Sequence, residues 1–514
     1  MKNQISAAMA VTAGIVLATV SGGAWATPAP AKVKIDSGVL VGSVDGSVLS
    51  FKGVPYAYAP IGPLRWAPPK SPAPWTHERA ADQYGAACPQ PMNADGSPNE
   101  GGAFGATSED CLFLNVWAPK AAQKAPVMLW IHGGSNTVGA GSLGAYDGSA
   151  FVRDGVIVVS INYRLGLLGF FAHPALTKAA APGEPLVGYG VMDQIAALQW
   201  VQRNIAAFGG DPANVTVFGE SAGGVDIITL MASPLARGLF AKAIVESGGG
   251  WSPPDTLADQ EAKGVAAATK AGAPATATLD QLRALPASAL TAKGMRAGAI
   301  AVDGRLLTES PSQAFAHGHA LDVPLMIGSN SFEASLMSTF GMPASMMLAM
   351  VPASIKAAYV NEPTDEAKAH AIFTDAIMGA PARWIAAQES GGKPAYLYHF
   401  SYVLDVQRPT SPGAGHASEI PYVFNSWDTL GALRLGMAVS AQDMAVTRLV
   451  HSCWVSFAKT GAPQCGSGPA WPAYSPANDT LMEFDTQSGL KQHFRKTQLD
   501  AQEARTLPTL KLGN

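Results

Sequence analysis

The stretch Val215-Thr216-Val217-Phe218-Gly219-Glu220-Ser221-Ala222-Gly223-Gly224 decides how this chain is read. Val215 to Phe218 are apolar or β-branched and read as a short buried strand. Glycines at 219, 223 and 224 relieve crowding where the chain must reverse, and Val225 to Met231 continue as a helix. A serine at the apex of a strand-to-helix turn, in the pattern G-x-S-x-G, is a nucleophile elbow. It holds the hydroxyl clear of the sheet with the backbone N–H of Ala222 beside it. The same letters also describe an ordinary glycine-rich turn, and Glu220 reads as a structural part of that turn. What separates the two readings must lie elsewhere in the chain.

A serine hydroxyl is a weak nucleophile at neutral pH. It needs a base to take its proton, a group to orient that base, and donors for the oxyanion. Upstream, the apolar run Pro126 to Ile131 reads as a strand and leads into His132-Gly133-Gly134-Ser135. Glycines there let N–H groups turn inward, so Gly133 and Gly134 are candidate oxyanion donors with Ala222. Elbow-bearing hydrolases place the acid and then the histidine after the serine. Histidines 370, 399, 416, 451 and 493 lie downstream. Only His416, in Gly413-Ala414-Gly415-His416-Ala417-Ser418-Glu419, falls on a loop after a predicted sheet strand, and it is the candidate base. Glu333 follows the strand Leu325 to Gly328 after a short turn, at the carboxyl end where such sites form. Asp303 and Asp322 are its rivals for the acid.

The organisation around these residues is α/β. Val33 to Ile35, Val39 to Val41 and Val48 to Phe51 alternate with turn residues and predict an N-terminal antiparallel meander. Strands follow at Leu112 to Trp117, Pro126 to Ile131 and Val156 to Ile161. Apolar positions 192, 195, 198, 201, 205 and 208 recur at helical spacing, and Gly209-Gly210-Asp211-Pro212 ends that helix. Further strands are expected at Phe240 to Val245, Leu325 to Gly328 and Ala395 to Phe400. Residues 254–300 are Ala-rich and helical in tendency. A helix from about Ser440 through Phe457 and short extended pieces complete the tail. The alternation predicts a large, mostly parallel sheet with crossover helices.

Composition excludes several classes. With 514 residues, 48% hydrophobic and 14% charged, the chain is too apolar for disorder. The formal net charge is -4 with no basic block, which argues against a nucleic-acid partner or an anionic membrane surface. Residues 1–26 carry one charge, Lys2, then an apolar run from Ala7 to Val20 and an A-x-A site. They read as a secretory signal peptide cut after Ala26. The mature chain, 27–514, is read as one domain with no membrane span. Its expected location is secreted or periplasmic, and a monomer is favoured. Four cysteines in an exported chain favour two local disulfides out of three possible pairings, and the absence of C-x-x-C argues against zinc or redox roles. A buried free thiol is the other reading of Cys453.

Taken together, these residues resemble the type B carboxylesterases, the family of cholinesterases and bacterial para-nitrobenzyl esterases. The resemblance rests on Phe51-Lys52-Gly53-Val54-Pro55-Tyr56-Ala57, Leu64-Arg65-Trp66, Ser108-Glu109-Asp110-Cys111-Leu112 and Asn115-Val116-Trp117. It extends through His132-Gly133-Gly134, Asn162-Tyr163-Arg164, Met192-Asp193-Gln194, Phe208-Gly209-Gly210-Asp211-Pro212, the elbow, Gly415-His416 and Thr460-Gly461-Ala462-Pro463. It implies an α/β-hydrolase fold with helical insertions over the active site. The implied triad is Ser221, Glu333 and His416, with oxyanion donors Gly133, Gly134 and Ala222, and Ser247 supporting the acid. It also implies a Cys88–Cys111 disulfide and buried ion pairs Arg65–Glu109 and Arg164–Asp193; Cys453–Cys465 is not a pairing the family supplies.

The implied activity is hydrolysis of a small-molecule ester through an acyl-serine, with neither metal nor organic cofactor. Residues 262–300 and the methionines at 337, 342, 346, 347 and 350 match no motif, so substrate choice stays open. Those methionines read as helix core or as an adaptable pocket wall, and Trp251 is a candidate to face the site. Rival readings are a hydrolase for a bulky xenobiotic, toxin, carbamate or amide, a triglyceride lipase, and a non-catalytic cholinesterase-like binding domain. The last is disfavoured because it typically lacks a member of the triad.

Overall fold

The structure is a computed structural model and describes residues 29–93, 97, 102–103, 105–251, 255–430, 438–466 and 468–513. The expected signal peptide lies outside the described residues. Among the described residues thirteen strands form one sheet, with the two-residue strand Arg79–Ala80 pairing beside Gly38–Asp45 off the main order. Its N-terminal edge is the antiparallel meander Ala29–Ile35, Gly38–Asp45 and Val48–Pro55, joined through Phe113–Pro119 to the centre. From there the order is Ile157–Ile161, Ala125–Ile131, Gly210–Glu220, Lys242–Glu246, Leu325–Asn330, Ala395–Phe400 and Thr480–Phe484, all mutually parallel. An antiparallel strand, Gly489–Gln492, closes the far edge. This is the α/β-hydrolase architecture.

The central strands are apolar throughout because both faces of the sheet are covered. Along Ala125–Ile131, residues Val127, Leu129 and Ile131 face one core and Met128 and Trp130 the other. Trp130 packs there against Tyr146, Phe218 and Phe424 at ring centroid distances of 4.8 to 5.0 Å. Helix Tyr189–Asn204 lies on the first face and ends through a short turn at Gly209, whose φ of 84° is the left-handed stop that glycine supplies.

Several expectations shift. The strand expected from Phe240 begins at Lys242, and the strand before the acid runs on to Asn330. Helices in the Ala-rich region stop at Leu290 rather than 300. The tail contains a further helix, Lys496–Thr506, whose polar sequence hid it; Arg383 holds it through Asp500 and Glu503 at 2.6 and 2.8 Å. Both local disulfides are present, Cys88–Cys111 and Cys453–Cys465, so Cys453 is not a free thiol. Arg65 pairs with Glu109, and Arg164 grips Asp193 through two 2.8 Å bonds. Met337 and Met347 enter a small core beneath the insertion, whereas Met346 and Met350 are exposed.

Candidate active site

Strand Gly210–Glu220 delivers Ser221 to the carboxyl edge of the sheet, and helix Ala222–Ala232 leaves from it. Ser221 sits at φ 55°, ψ −123°, a conformation that L-residues avoid and that persists only where packing enforces it. The enforcement is visible in the glycines. A Cβ on Gly223 would stand 2.0 Å from the Ile131 carbonyl, and one on Gly219 would stand 2.5 Å from the same oxygen. Only hydrogen at both positions lets the elbow close onto the neighbouring strand.

That contact also positions the candidate oxyanion donors. The strand ending at Ile131 runs into Gly133, where a Cβ would lie 3.0 Å from the Ser221 Cβ, and Gly134 turns at φ 98°. The N–H groups of Gly133 and Gly134 meet no acceptor among the described residues. Ala222 is the first residue of its helix, so its N–H has no intrahelical partner. The loop is rigid. His132 is buried, stacks on Tyr163 at 4.5 Å, and accepts at its backbone carbonyl from the Tyr163 hydroxyl at 2.7 Å. Asn136 donates to Asp226 of the elbow helix at 3.0 Å, and Gln194 donates to the other Asp226 oxygen at 2.5 Å.

Glu333 is fully buried just beyond strand Leu325–Asn330. One oxygen accepts from the Ser247 hydroxyl at 2.5 Å and from the Asn330 N–H at 2.7 Å. The other lies 2.6 Å from His416 Nδ1. The loops carrying acid and histidine are stitched together: the Phe332 N–H donates to Ala414 O at 2.8 Å and the His416 N–H to the Ser335 hydroxyl at 2.9 Å. Sequence order hides this proximity, since 82 residues intervene between the two. The rivals are elsewhere engaged. Asp303 caps a turn at Arg305 and Leu306, and Asp322 accepts from Lys393. His370 packs on Phe332, His399 on Phe494, His451 bonds Val423 O, and His493 pairs with Asp479.

One reading is corrected. Glu220 is more than a part of the turn: its carboxylate is buried and lies 3.0 Å from His416 Nε2. Position next to the serine concealed this, because pleat alternation stops at Glu220: Ser221 leaves the strand at φ 55°, and both side chains lie against Gly133. Glu419, three residues after His416 at the start of helix Ile420–Phe424, and Glu246, just before Ser247, complete a buried acidic group that sequence reasoning missed. Asn330 bonds both Gly415 O and Glu419. Trp454 donates to Glu246 at 2.7 Å. Burial pulls the His416 imidazole down, but the charges of Glu220, Glu333 and Glu419 outweigh it and push its pKa up to about 10. Burial lifts Glu220 to about 8 against the opposing pull of His416, and lifts Glu419 to about 7, with Glu333 adding to it. Burial also drives Glu246 well above the usual carboxylate range.

Beside the elbow, Asn136, Val225, Thr229, Trp251 and Leu307 line a cavity of about 250 Å³. The constellation combines an exposed-edge hydroxyl, an imidazole oriented by a carboxylate, and free N–H donors on two adjoining loops.

The profile of the carboxylesterase family matches residues 29–502. The chain is 36% identical to the para-nitrobenzyl esterase of Bacillus subtilis (strain 168), covering 88% of this chain and 94% of that one. It is 35% identical to the fumonisin B1 esterase of Sphingopyxis macrogoltabida, covering 90% and 88%. A solved para-nitrobenzyl esterase superposes with a TM-score of 0.78 at 32% identity, covering 92% of this chain and 99% of that one. The chain belongs to the carboxylesterase family and is a carboxylic ester hydrolase.

Proposed function

We propose that the protein is an exported serine carboxylesterase working through an acyl-serine intermediate. His416 takes the Ser221 proton as the hydroxyl oxygen attacks the ester carbonyl. Glu333 orients the imidazole and stabilises its charged form. The tetrahedral oxyanion is held by the N–H groups of Gly133, Gly134 and Ala222. His416 then protonates the departing alcohol, and water repeats the sequence on the acyl-enzyme to release the acid and the free serine. In the resting arrangement His416 Nε2 faces Glu220 and makes no hydrogen bond to Ser221. Such bonds tighten once substrate fills the site.

The observation that carries the reading is the 2.6 Å Glu333–His416 pair at the same sheet edge as a serine held in the elbow conformation. Ser247 supports the acid from behind. The reaction centre needs neither metal nor cofactor. Residues 1–26 are the leader and 27–514 the mature domain, secreted or periplasmic and monomeric. The two disulfides support export. Among the described residues no helix is long and apolar enough to cross a membrane.

Purified Ser221→Ala with a chromogenic short-chain ester tests the mechanism. The expected loss in kcat is about 10⁴-fold or more, with the circular dichroism spectrum unchanged. Near-parental activity would overturn the assignment. A second reading, a hydrolase for a bulky xenobiotic or toxin ester, draws on the fumonisin B1 esterase among the relatives. A panel of simple esters, bulky polyesters, carbamates and amides separates the two by kcat/KM.

A further inference from the structure

Outside the reaction centre, three side chains converge on the segment that borders the cavity beside the elbow. Helix Pro311–Ala316 is capped by Ser310 and ends at His317. Gly318 then turns at φ 67°, which brings His319 back alongside. Both rings face Glu309, the residue before the cap. His317 Nδ1 lies 2.7 Å from one carboxylate oxygen and His319 Nδ1 2.6 Å from the other. One ligand atom from each of the three side chains lies within 4.8 Å of the other two.

The second nitrogen of His317 sharpens the geometry. Its Nε2 is 2.5 Å from the Leu512 carbonyl. A carbonyl only accepts, so Nε2 carries the ring proton, and a neutral ring presents its Nδ1 lone pair to Glu309. A carboxylate also only accepts, so a proton or a cation must stand between them. A histidine with one N–H on a backbone carbonyl and the other nitrogen turned to a carboxylate is arranged as in metal centres, where the outer bond fixes ring orientation.

We propose that Glu309, His317 and His319 bind one divalent transition-metal cation of the zinc type. Two imidazoles and a carboxylate favour zinc over magnesium or calcium, which take oxygen ligands. Zinc bonds of about 2.0–2.2 Å need the ligand atoms slightly further apart than they stand here. The His319 side chain, 66% exposed, has room to make that adjustment. Water completes the coordination. The bound ion would tie Glu309 to His317 and, through Leu512, to the C-terminal segment, next to Leu307, Ser310 and Pro311 of the cavity wall.

The test uses the untagged full chain, stripped with EDTA and titrated with zinc chloride by calorimetry at neutral pH. Expected are one saturable equivalent, a rise in Tm on loading, and far weaker binding of magnesium and calcium. His319→Ala and Glu309→Gln should each weaken zinc binding about tenfold or more. The metal-free Tm of His319→Ala should match the parent, since the His319 side chain is mostly exposed. Absence of saturable binding overturns the proposal. So does zinc binding that survives both substitutions, or that is lost on His416→Ala instead, which would place the ion in the reaction centre.

Discussion

His416 holds its imidazole between two carboxylates, Glu333 on Nδ1 at 2.6 Å and Glu220 on Nε2 at 3.0 Å. A base can accept the serine proton only when neutral. Burial lowers the imidazole pKa, but the three acids raise it further, so the neutral form is lost as pH falls through a value above the ordinary 6.5. The acid limb of kcat/KM is therefore expected above 6.5, and a pH–rate profile with its limb at or below that value contradicts the arrangement. Glu220→Gln removes one of the raising charges. The limb should move to lower pH, and kcat at the plateau should fall by about tenfold, or about 1.4 kcal/mol, because the imidazolium formed in the transition state loses a partner. A limb that stays in place would show that Glu220 does not act on His416.

At the scale of elements, the site depends on how closely the elbow meets the adjoining strand. Gly223→Ala would drive a methyl carbon to 2.0 Å from the Ile131 carbonyl, and backbone on both sides leaves little room to yield. A loss of about 3 kcal/mol or more in urea unfolding is expected, with activity lost in whatever remains folded. The helix behind the elbow is held differently. Arg164, at the end of strand Ile157–Ile161, grips Asp193 of helix Tyr189–Asn204 where both are buried. Arg164→Met leaves an unpaired buried carboxylate and should cost about 3–5 kcal/mol. Arg164→Met with Asp193→Leu should recover much of this, and a double variant no better than the single would refute the account.

Over the whole molecule, buried acids give the fold a pH signature. Burial raises Glu220 to about 8, Glu419, Asp226 and Glu389 to about 7, and the surrounding acids raise His416 against its own burial. In each case the folded state binds protons that the unfolded chain has released. Stability from these groups is full below their unfolded pKa values and is lost as pH rises through the folded ones. Glu419, Asp226 and Glu389 release theirs around pH 7, so between pH 7 and pH 9 Tm should go on falling chiefly through Glu220 and His416, measured by differential scanning calorimetry at constant ionic strength. His132 and His399, held down to about 4 by burial, act in the opposite sense, below the ordinary 6.5, and leave that window untouched. A Tm that is flat or rising from 7 to 9 would argue against proton retention by the acidic group. Glu246→Gln, which keeps an acceptor for the Trp454 donor, should shallow the fall.

Local chemistry was legible in the sequence by itself. Glycines at 133, 219 and 223 announced a close approach of backbones, continuous apolar runs announced strands covered on both faces, and the order serine, acid, histidine pointed to Ser221, Glu333 and His416. These are short-range properties, carried by steric freedom and hydrophobic pattern. Tertiary structure decided what crosses the chain. It set His416 Nε2 against Glu220, gathered Glu246 and Glu419 behind it, paired Cys453 with Cys465, and folded Lys496–Thr506 as a helix anchored by Arg383. A carboxylate's role depends on the charges and the solvent around it. Those come from residues tens to hundreds of positions away, brought together only when the parallel sheet aligns its carboxyl ends.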